Sequence, residues 1–230
     1  MLLAFDTATA TASVAVYDLA NDTLLGETTW LARRRQTQDL LAAAHALLDQ
    51  VGRTPAQIGA LAATTGPGSF TGVRIALSTL KGMALGLPQP PRVVGLPTLA
   101  VTAAPWLAVA GSVSPHAAVC AYLQAGRGRY NWVVFAPADG LRRPASTDHH
   151  AGNAADFAAA LSAPDRPVWL VGEPAAELCD AVASHDHVTV VDGVAGLRRG
   201  GVLARLAAQH LAAGHADDPA ALQPLYLQEP

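Results

Sequence analysis

The residues with the clearest capacity for chemistry are three glycines and two hydroxyl side chains in the segment GPGSFTGVR, residues 66–74. An apolar run typical of a buried strand precedes this segment, and an apolar run with helical spacing follows it. Glycine loops between a strand and a helix can bind phosphate, because unpaired N–H groups and the positive end of the helix dipole lie together there. The first candidate chemistry is therefore phosphate or nucleotide binding.

Two known phosphate-binding motifs fail to match this loop. A P-loop requires a lysine directly after its last glycine, whereas Val73 follows Gly72. A dinucleotide fingerprint requires a third glycine at the position that Thr71 occupies. Ser69 or Thr71 can instead cap the following helix, with the glycines allowing a close backbone approach. The residues favour a structural or protein-contacting loop over a phosphate cradle.

An aromatic residue at the tip of this loop bears on the protein-contacting alternative. Phe70 would anchor a partner surface if it is exposed, and would be a packing staple if it is buried. We interpret the segment as a partner-binding loop. Its candidate residues are Gly66, Pro67, Gly68, Ser69, Phe70, Thr71, Gly72 and Arg74.

A stripe of small residues follows on the predicted helix. Ser78, Gly82 and Gly86 recur every four residues and therefore lie on one helix face. Small side chains let another backbone come close. The spacing alone allows two alternatives, packing on the protein's own sheet or a helix–helix interface with another chain.

The surrounding pattern predicts an α/β fold. Strands are expected at 2–5, 13–17, 24–30 and 58–64, with helices at 36–51 and 71–86. A short strand at 93–94 and an apolar helix at 98–109 close this half. Strands then recur at 117–123, 132–135, 168–171 and 188–191, with helices at 157–161, 174–183 and 201–213. We predict an N-terminal lobe over 1–112 and a C-terminal lobe over 113–230, whose final helix can pack back on the first lobe.

Composition excludes several classes of protein. The 230 residues carry a formal net charge of −3, which argues against a strongly basic nucleic-acid surface. Three arginine clusters, at 33–35, 142–143 and 198–199, can contact phosphate but are more typical of solvated faces. Cys120 and Cys179 are expected to be separate thiols, and no clean membrane span is present. We expect a soluble, cytoplasmic protein.

Several segments together resemble the TsaB family. They are LLAFDTAT at the start, RQTQDLL, GPGSFTGVRIALSTLKGMALG, VVGLPTLA and the terminal PLYL. The resemblance implies two ribonuclease-H-like lobes of the actin/Hsp70/sugar-kinase superfamily. It also implies a role in making threonylcarbamoyladenosine (t6A) at position 37 of tRNAs that read ANN codons. The segment at 124–130 and the end at 226–228 depart from the family pattern.

The resemblance also implies that this chain carries no catalytic residue. Active members of the superfamily have Asp-x-Gly-Thr after the first strand, whereas this chain has a degenerate phosphate loop of Asp6, Thr7, Ala8 and Thr9. The catalytic paralogue TsaD has a metal-binding His-x-x-x-His where residues 95–100 hold no histidine. ATP and metal are thus expected on partner subunits, with no cofactor or metal in this chain. The alternative is an ATP-dependent phosphotransferase or a glycoprotease-like enzyme of the same fold.

The partners that the resemblance implies are a TsaD-like paralogue and a TsaE-like ATPase. Pairing with the paralogue would use the first two helices, and the same face would allow self-pairing when the chain is alone. tRNA would be engaged through the complex. The candidate interface residues are Leu40, Ala44, Leu47, Ser78, Gly82 and Gly86.

Overall fold

A computed structural model describes residues 1–33, 35–126, 128–140, 142–162 and 166–227. These residues form two compact units. The first unit comprises Met1–Thr98 and Arg199–Tyr226, and the second contains Leu99–Arg198. Residues 99–112, which were predicted to belong to the first lobe, pack within the second unit, because their apolar side chains contact its sheet.

The first unit is built on a five-stranded mixed sheet. Its strands are β1 (Leu2–Asp6), β2 (Thr11–Asp18), β3 (Thr23–Leu31), β4 (Ala60–Gly66) and β5 (Arg92–Pro97). Their order is β3-β2-β1-β4-β5. The first three form an antiparallel meander, whereas β1, β4 and β5 run parallel. Helices α1 (Gln36–Gln50) and α2 (Phe70–Gly86) make the crossovers into β4 and β5.

The second unit repeats this topology. Helix α3 (Thr98–Val113) precedes strands β6 (Ala118–Gln124), β7 (Arg129–Phe135), β8 (His150–Asn153), β9 (Val168–Val171) and β10 (Val188–Val190). Their order is β10-β9-β6-β7-β8, with α4 (Ala154–Ala160) and α5 (Ala176–Val182) in the crossovers. Three antiparallel strands followed by two parallel ones thus occur twice. The predicted α/β architecture is confirmed.

The last helix, α6 (Gly200–Ala212), completes the first unit. Along β1, Leu3 and Phe5 pack in the apolar cluster shared with α1 and α2. Leu2 and Ala4 alternate to the opposite face of the strand, where α6 packs. The first sheet is therefore covered by helices on both faces.

Two composition-based expectations concern the cysteines and a membrane span. Cys120 is buried and Cys179 is half-buried, and both are free thiols. Among the described residues, no helix is both long enough and apolar enough to cross a bilayer.

Candidate partner-binding site

The turn after β1 is held by a buried carboxylate. Asp6 is 1% exposed, and its Oδ1 accepts hydrogen bonds from the backbone N–H of Ala8 at 2.9 Å and from the hydroxyl of Thr64 at 2.8 Å. The first bond closes the turn, and the second ties β1 to its parallel neighbour β4. Asp6 is thus a structural link between two central strands of the first sheet.

The glycine loop lies directly against this turn. The N–H of Ser69 donates to the carbonyl of Ala8 at 2.6 Å, and the Thr7 hydroxyl donates to the carbonyl of Gly72 at 2.6 Å. A Cβ placed on Gly72 would lie 2.0 Å from the Thr7 carbonyl oxygen, and one on Gly68 would lie 2.3 Å from that of Ala8. The glycines therefore allow contact between two segments of the same chain.

The cap of α2 uses further donors of the loop. The N–H of Gly72 donates to Ser69 Oγ at 3.2 Å, and that of Val73 donates to the Ser69 carbonyl at 2.9 Å. The predicted Ser69 cap is confirmed. A phosphate-binding helix start offers unpaired N–H groups to the anion, whereas three N–H groups here already have partners.

Only part of the predicted partner-binding loop is at the surface. Gly68, Ser69, Phe70, Thr71 and Arg74 are exposed. The prediction is corrected for Gly66, Pro67 and Gly72, which are buried; at Gly66 and Gly72 the protein's own backbone occupies the space that a side chain would need.

Replacing Thr64 with valine tests the Asp6 link. The change keeps the shape of the side chain but removes the hydroxyl that donates to Asp6, so a buried carboxylate loses a hydrogen bond. We expect the free energy of unfolding to fall by about 1–3 kcal/mol. Thr64→Ser, which keeps the hydroxyl, is the matched control. A denaturant melt in which Thr64→Val is as stable as the parent would contradict the structural assignment of Asp6.

The C-terminal tail, residues 217–226, packs beside β5 and the end of β4. Asp217 accepts a hydrogen bond from the N–H of Gly95 at 2.8 Å, and the N–H of Leu225 donates to the carbonyl of Thr65 at 2.7 Å. Leu222 packs against the main core of the first unit. The sequence does not predict this role for the tail, whose only local signal is a short apolar run, PLYL.

The tail ends in an aromatic cluster at the start of α2. The rings of Phe70 and Tyr226 stack with centroids 5.3 Å apart. The Arg74 guanidinium lies 3.7 Å from the centroid of the Phe70 ring, and its Nε donates to the Tyr226 hydroxyl at 2.7 Å. Phe70 is 43% exposed, so one part of it holds the tail and another part remains on the surface.

The small-residue stripe of α2 is on the surface. Ser78, Gly82 and Gly86 are exposed, and a Cβ on either glycine would meet nothing within 4 Å. Leu85, one helix turn from Gly82, is 90% exposed. Of the two alternatives for the stripe, packing on the protein's own sheet is wrong.

The α1 part of the predicted interface is corrected. Leu40, Ala44 and Leu47 are at most 3% exposed and belong to the core of the first unit. The helical periodicity marked the face that packs on the protein's own sheet. Leu41, which is 54% exposed, is the large apolar side chain that α1 presents to solvent.

The arginine clusters are largely paired with carboxylates. Arg35 lies 3.4 Å from Asp39, Arg142 lies 3.2 Å from Asp139, and Arg199 pairs with Glu27. Arg198 is buried and lies 3.8 Å from Glu173. Arg34 falls outside the described residues. Because these pairs offset the positive charge, the clusters are poor candidates for tRNA phosphate contacts.

The segments that depart from the family pattern are described in part. Gln124 ends β6 and Arg129 and Tyr130 begin β7, and Gly126 and Gly128 between these strands have positive φ angles. Arg127 and Gln228 fall outside the described residues. Within the described ranges, no group of three or more His, Cys, Asp or Glu side chains is arranged to hold a metal ion.

The repeated sheet topology defines an α/β protein with two lobes of one topology, as the resemblance to ribonuclease-H-like lobes implied. The model of the family described as TsaD, tRNA N6-adenosine threonylcarbamoyltransferase, matches residues 30–186. The chain belongs to this family. The curated relatives that it matches are named TsaB, which confirms the resemblance seen in the sequence.

Two curated relatives illustrate the similarity. Both are called "tRNA threonylcarbamoyladenosine biosynthesis protein TsaB". The protein from Escherichia coli is 41% identical over 98 residues, which cover 43% of this chain and 40% of that protein. The protein from Bacillus subtilis is 28% identical over 171 residues, covering 74% of this chain and 70% of that protein. The match to the Escherichia coli protein thus spans less than half of its length.

Solved structures support the fold. A Pseudomonas aeruginosa protein described as similar to the peptidase YeaZ aligns over 99% of both chains, with a TM-score of 0.76 and 23% identity. The ethanolamine utilization protein EutJ from Carboxydothermus hydrogenoformans aligns over 90% of this chain and 88% of that chain, with a TM-score of 0.50 and 13% identity. At these identities the likeness concerns the fold alone.

Proposed function

We propose that this chain is a non-catalytic subunit required to form t6A at position 37 of tRNAs that read ANN codons. It pairs with a TsaD-like paralogue, and the pair recruits a TsaE-like ATPase. The names of the curated relatives and the match to the TsaD family support a role in t6A biosynthesis. The observation that carries the pairing is the exposed stripe of Ser78, Gly82 and Gly86 on α2.

The exposed face of α2 has the properties of a helix-packing surface. Its glycines leave open space in which a second helix can approach closely, and Leu85 beside them offers apolar area to bury. Leu41 on α1 adds a second exposed apolar side chain within the first unit. The same face supports self-pairing when the paralogue is absent.

The geometry of the glycine loop supports a non-catalytic role. Its N–H groups at Ser69, Gly72 and Val73 are bonded within the chain, and its glycines are pressed against the turn that carries Asp6. Catalysis of phosphoryl transfer depends on positioning and on donors that stabilise phosphate charge. In this proposal ATP and the metal ion reside on the partner subunits, tRNA is engaged by the complex, and the complex works in the cytoplasm.

Reconstitution tests this function. Threonylcarbamoyl transfer to tRNA is measured with the TsaD-like and TsaE-like proteins of the same organism, threonylcarbamoyl-adenylate and ATP, with and without this chain. We expect transfer to require the chain, and the chain alone to show neither transfer nor ATP hydrolysis. Transfer at full rate without the chain, or ATP turnover by the purified chain, would contradict the proposal.

A further inference from the structure

A groove of about 370 Å³ lies between α2 and the C-terminal tail, within the first unit. Its helix wall is formed by Arg74, Leu77, Ser78 and Lys81, and its tail wall by residues 222–224. Ser78 is also the first residue of the exposed stripe, so the groove is continuous with the surface that we assign to pairing.

Arg74 and Lys81, the charged side chains among the described lining residues of the groove, are both cations. Arg74 uses Nε to bond the Tyr226 hydroxyl, and its terminal Nη nitrogens have no hydrogen-bond partner in the described part of the chain. Lys81 makes one long hydrogen bond, 3.5 Å from Nζ to the carbonyl of Ala220. Among the residues that the structure describes, no carboxylate lines the groove. The arginine clusters described above differ, because their charges are largely offset by nearby acids.

The Arg74 guanidinium is held in place before any partner binds. The Phe70 ring lies against its flat face, and the Tyr226 hydroxyl fixes Nε. Arginine pairs with a carboxylate through two parallel hydrogen bonds, and a side chain that is already ordered loses less entropy on forming them. Phe70 and Tyr226 are thus positioning residues, and the tail is required for their arrangement.

We propose that this groove binds an acidic side chain, Asp or Glu, that the paralogue partner presents next to apolar residues. The carboxylate pairs with Arg74 and Lys81, and the neighbouring apolar side chains pack on Leu77, Leu222 and Pro224. This inference rests on the proposed function and specifies the chemistry of the partner's surface. It makes the C-terminal tail one wall of the interface.

Charge reversal tests the groove. Affinity and association rate between the purified chain and its TsaD-like paralogue are measured at several salt concentrations. We expect Arg74→Glu to weaken pairing by about tenfold or more and to flatten its salt dependence, because a favourable charge contact becomes repulsive. Lys81→Glu is expected to act in the same direction. Arg92→Glu, an exposed change of equal charge at the start of β5, is the matched control and should stay within about twofold of the parent.

The role of Tyr226 is tested by a double-mutant cycle. Tyr226→Phe removes the hydroxyl that orients Arg74 but keeps the stacked ring, and we expect it to weaken pairing about threefold. In combination with Arg74→Glu it should add no further loss, because both changes act on one contact. Additive losses would contradict the positioning role.

The outcomes separate this inference from the proposed function. If Arg74→Glu and Lys81→Glu pair like the parent while Gly82→Trp weakens pairing, the groove assignment is wrong and the α2 interface stands. If none of the three changes affects pairing, the proposed interface itself is wrong. If Arg74→Glu leaves pairing intact but reduces tRNA binding by the complex, the groove binds nucleic acid and the inference is overturned.

Discussion

Gly72→Ala will lower the free energy of unfolding by about 3 kcal/mol or more. The added methyl group would lie 2.0 Å from the carbonyl oxygen of Thr7, and Gly72 itself is bonded to the Thr7 hydroxyl through its own carbonyl. The obstacle is backbone, which cannot rotate away as a side chain can. The turn that carries Asp6 and the start of α2 must therefore separate.

Gly82→Ala is the matched control on the same helix. Its methyl group meets nothing within 4 Å, and alanine is the better helix former, so stability should rise by up to about 1 kcal/mol. Denaturant melts of both variants measure the contrast. Equal stability of Gly72→Ala and Gly82→Ala would show that the glycine loop is not packed on the β1 turn.

Gly82→Trp will weaken pairing with the TsaD-like paralogue by about 10- to 100-fold, because a large side chain prevents close helix–helix approach. The same substitution should leave the isolated chain folded, since residue 82 faces open space. Combining it with a bulky change at Ser78, four residues earlier on the same stripe, should weaken pairing further. Affinity is measured by titration with the purified paralogue.

The control for pairing is Gln209→Trp, which places an indole on the exposed surface of α6, on the other face of the first sheet. We expect Gln209→Trp to pair like the parent. If Gly82→Trp also pairs like the parent, the exposed stripe has a different role and the pairing face lies elsewhere on the chain.

Much of the fold follows from local pattern. The strands and helices of the first unit appear at or near their predicted positions, because each has a strong apolar period or an apolar run bounded by a turn. β8 has neither feature. Its sequence, HAGN, pairs with β7 through the backbone and through stacking of the His150 ring on Trp132, so its place in the sheet depends on tertiary structure that a local pattern does not contain.

The candidate site was less predictable, because a helical period identifies an apolar face without naming what covers it. Leu40, Ala44 and Leu47 have the spacing of an interface, and the protein's own sheet covers them. For the same reason the spacing of Ser78, Gly82 and Gly86 left two alternatives open. The contact between Tyr226 and Arg74 joins residues 152 positions apart, so no sequence window contains both partners.

The most direct test of the account is a titration of t6A formation against the concentration of this chain, comparing the parent with Gly82→Trp at fixed paralogue and ATPase. Activity is predicted to be absent without the chain. The variant should reach the same maximum as the parent, but at a 10- to 100-fold higher concentration, roughly matching its loss of affinity. Identical curves for the two proteins, or full activity without either, would contradict the claim that the chain acts as a non-catalytic subunit through the exposed face of α2.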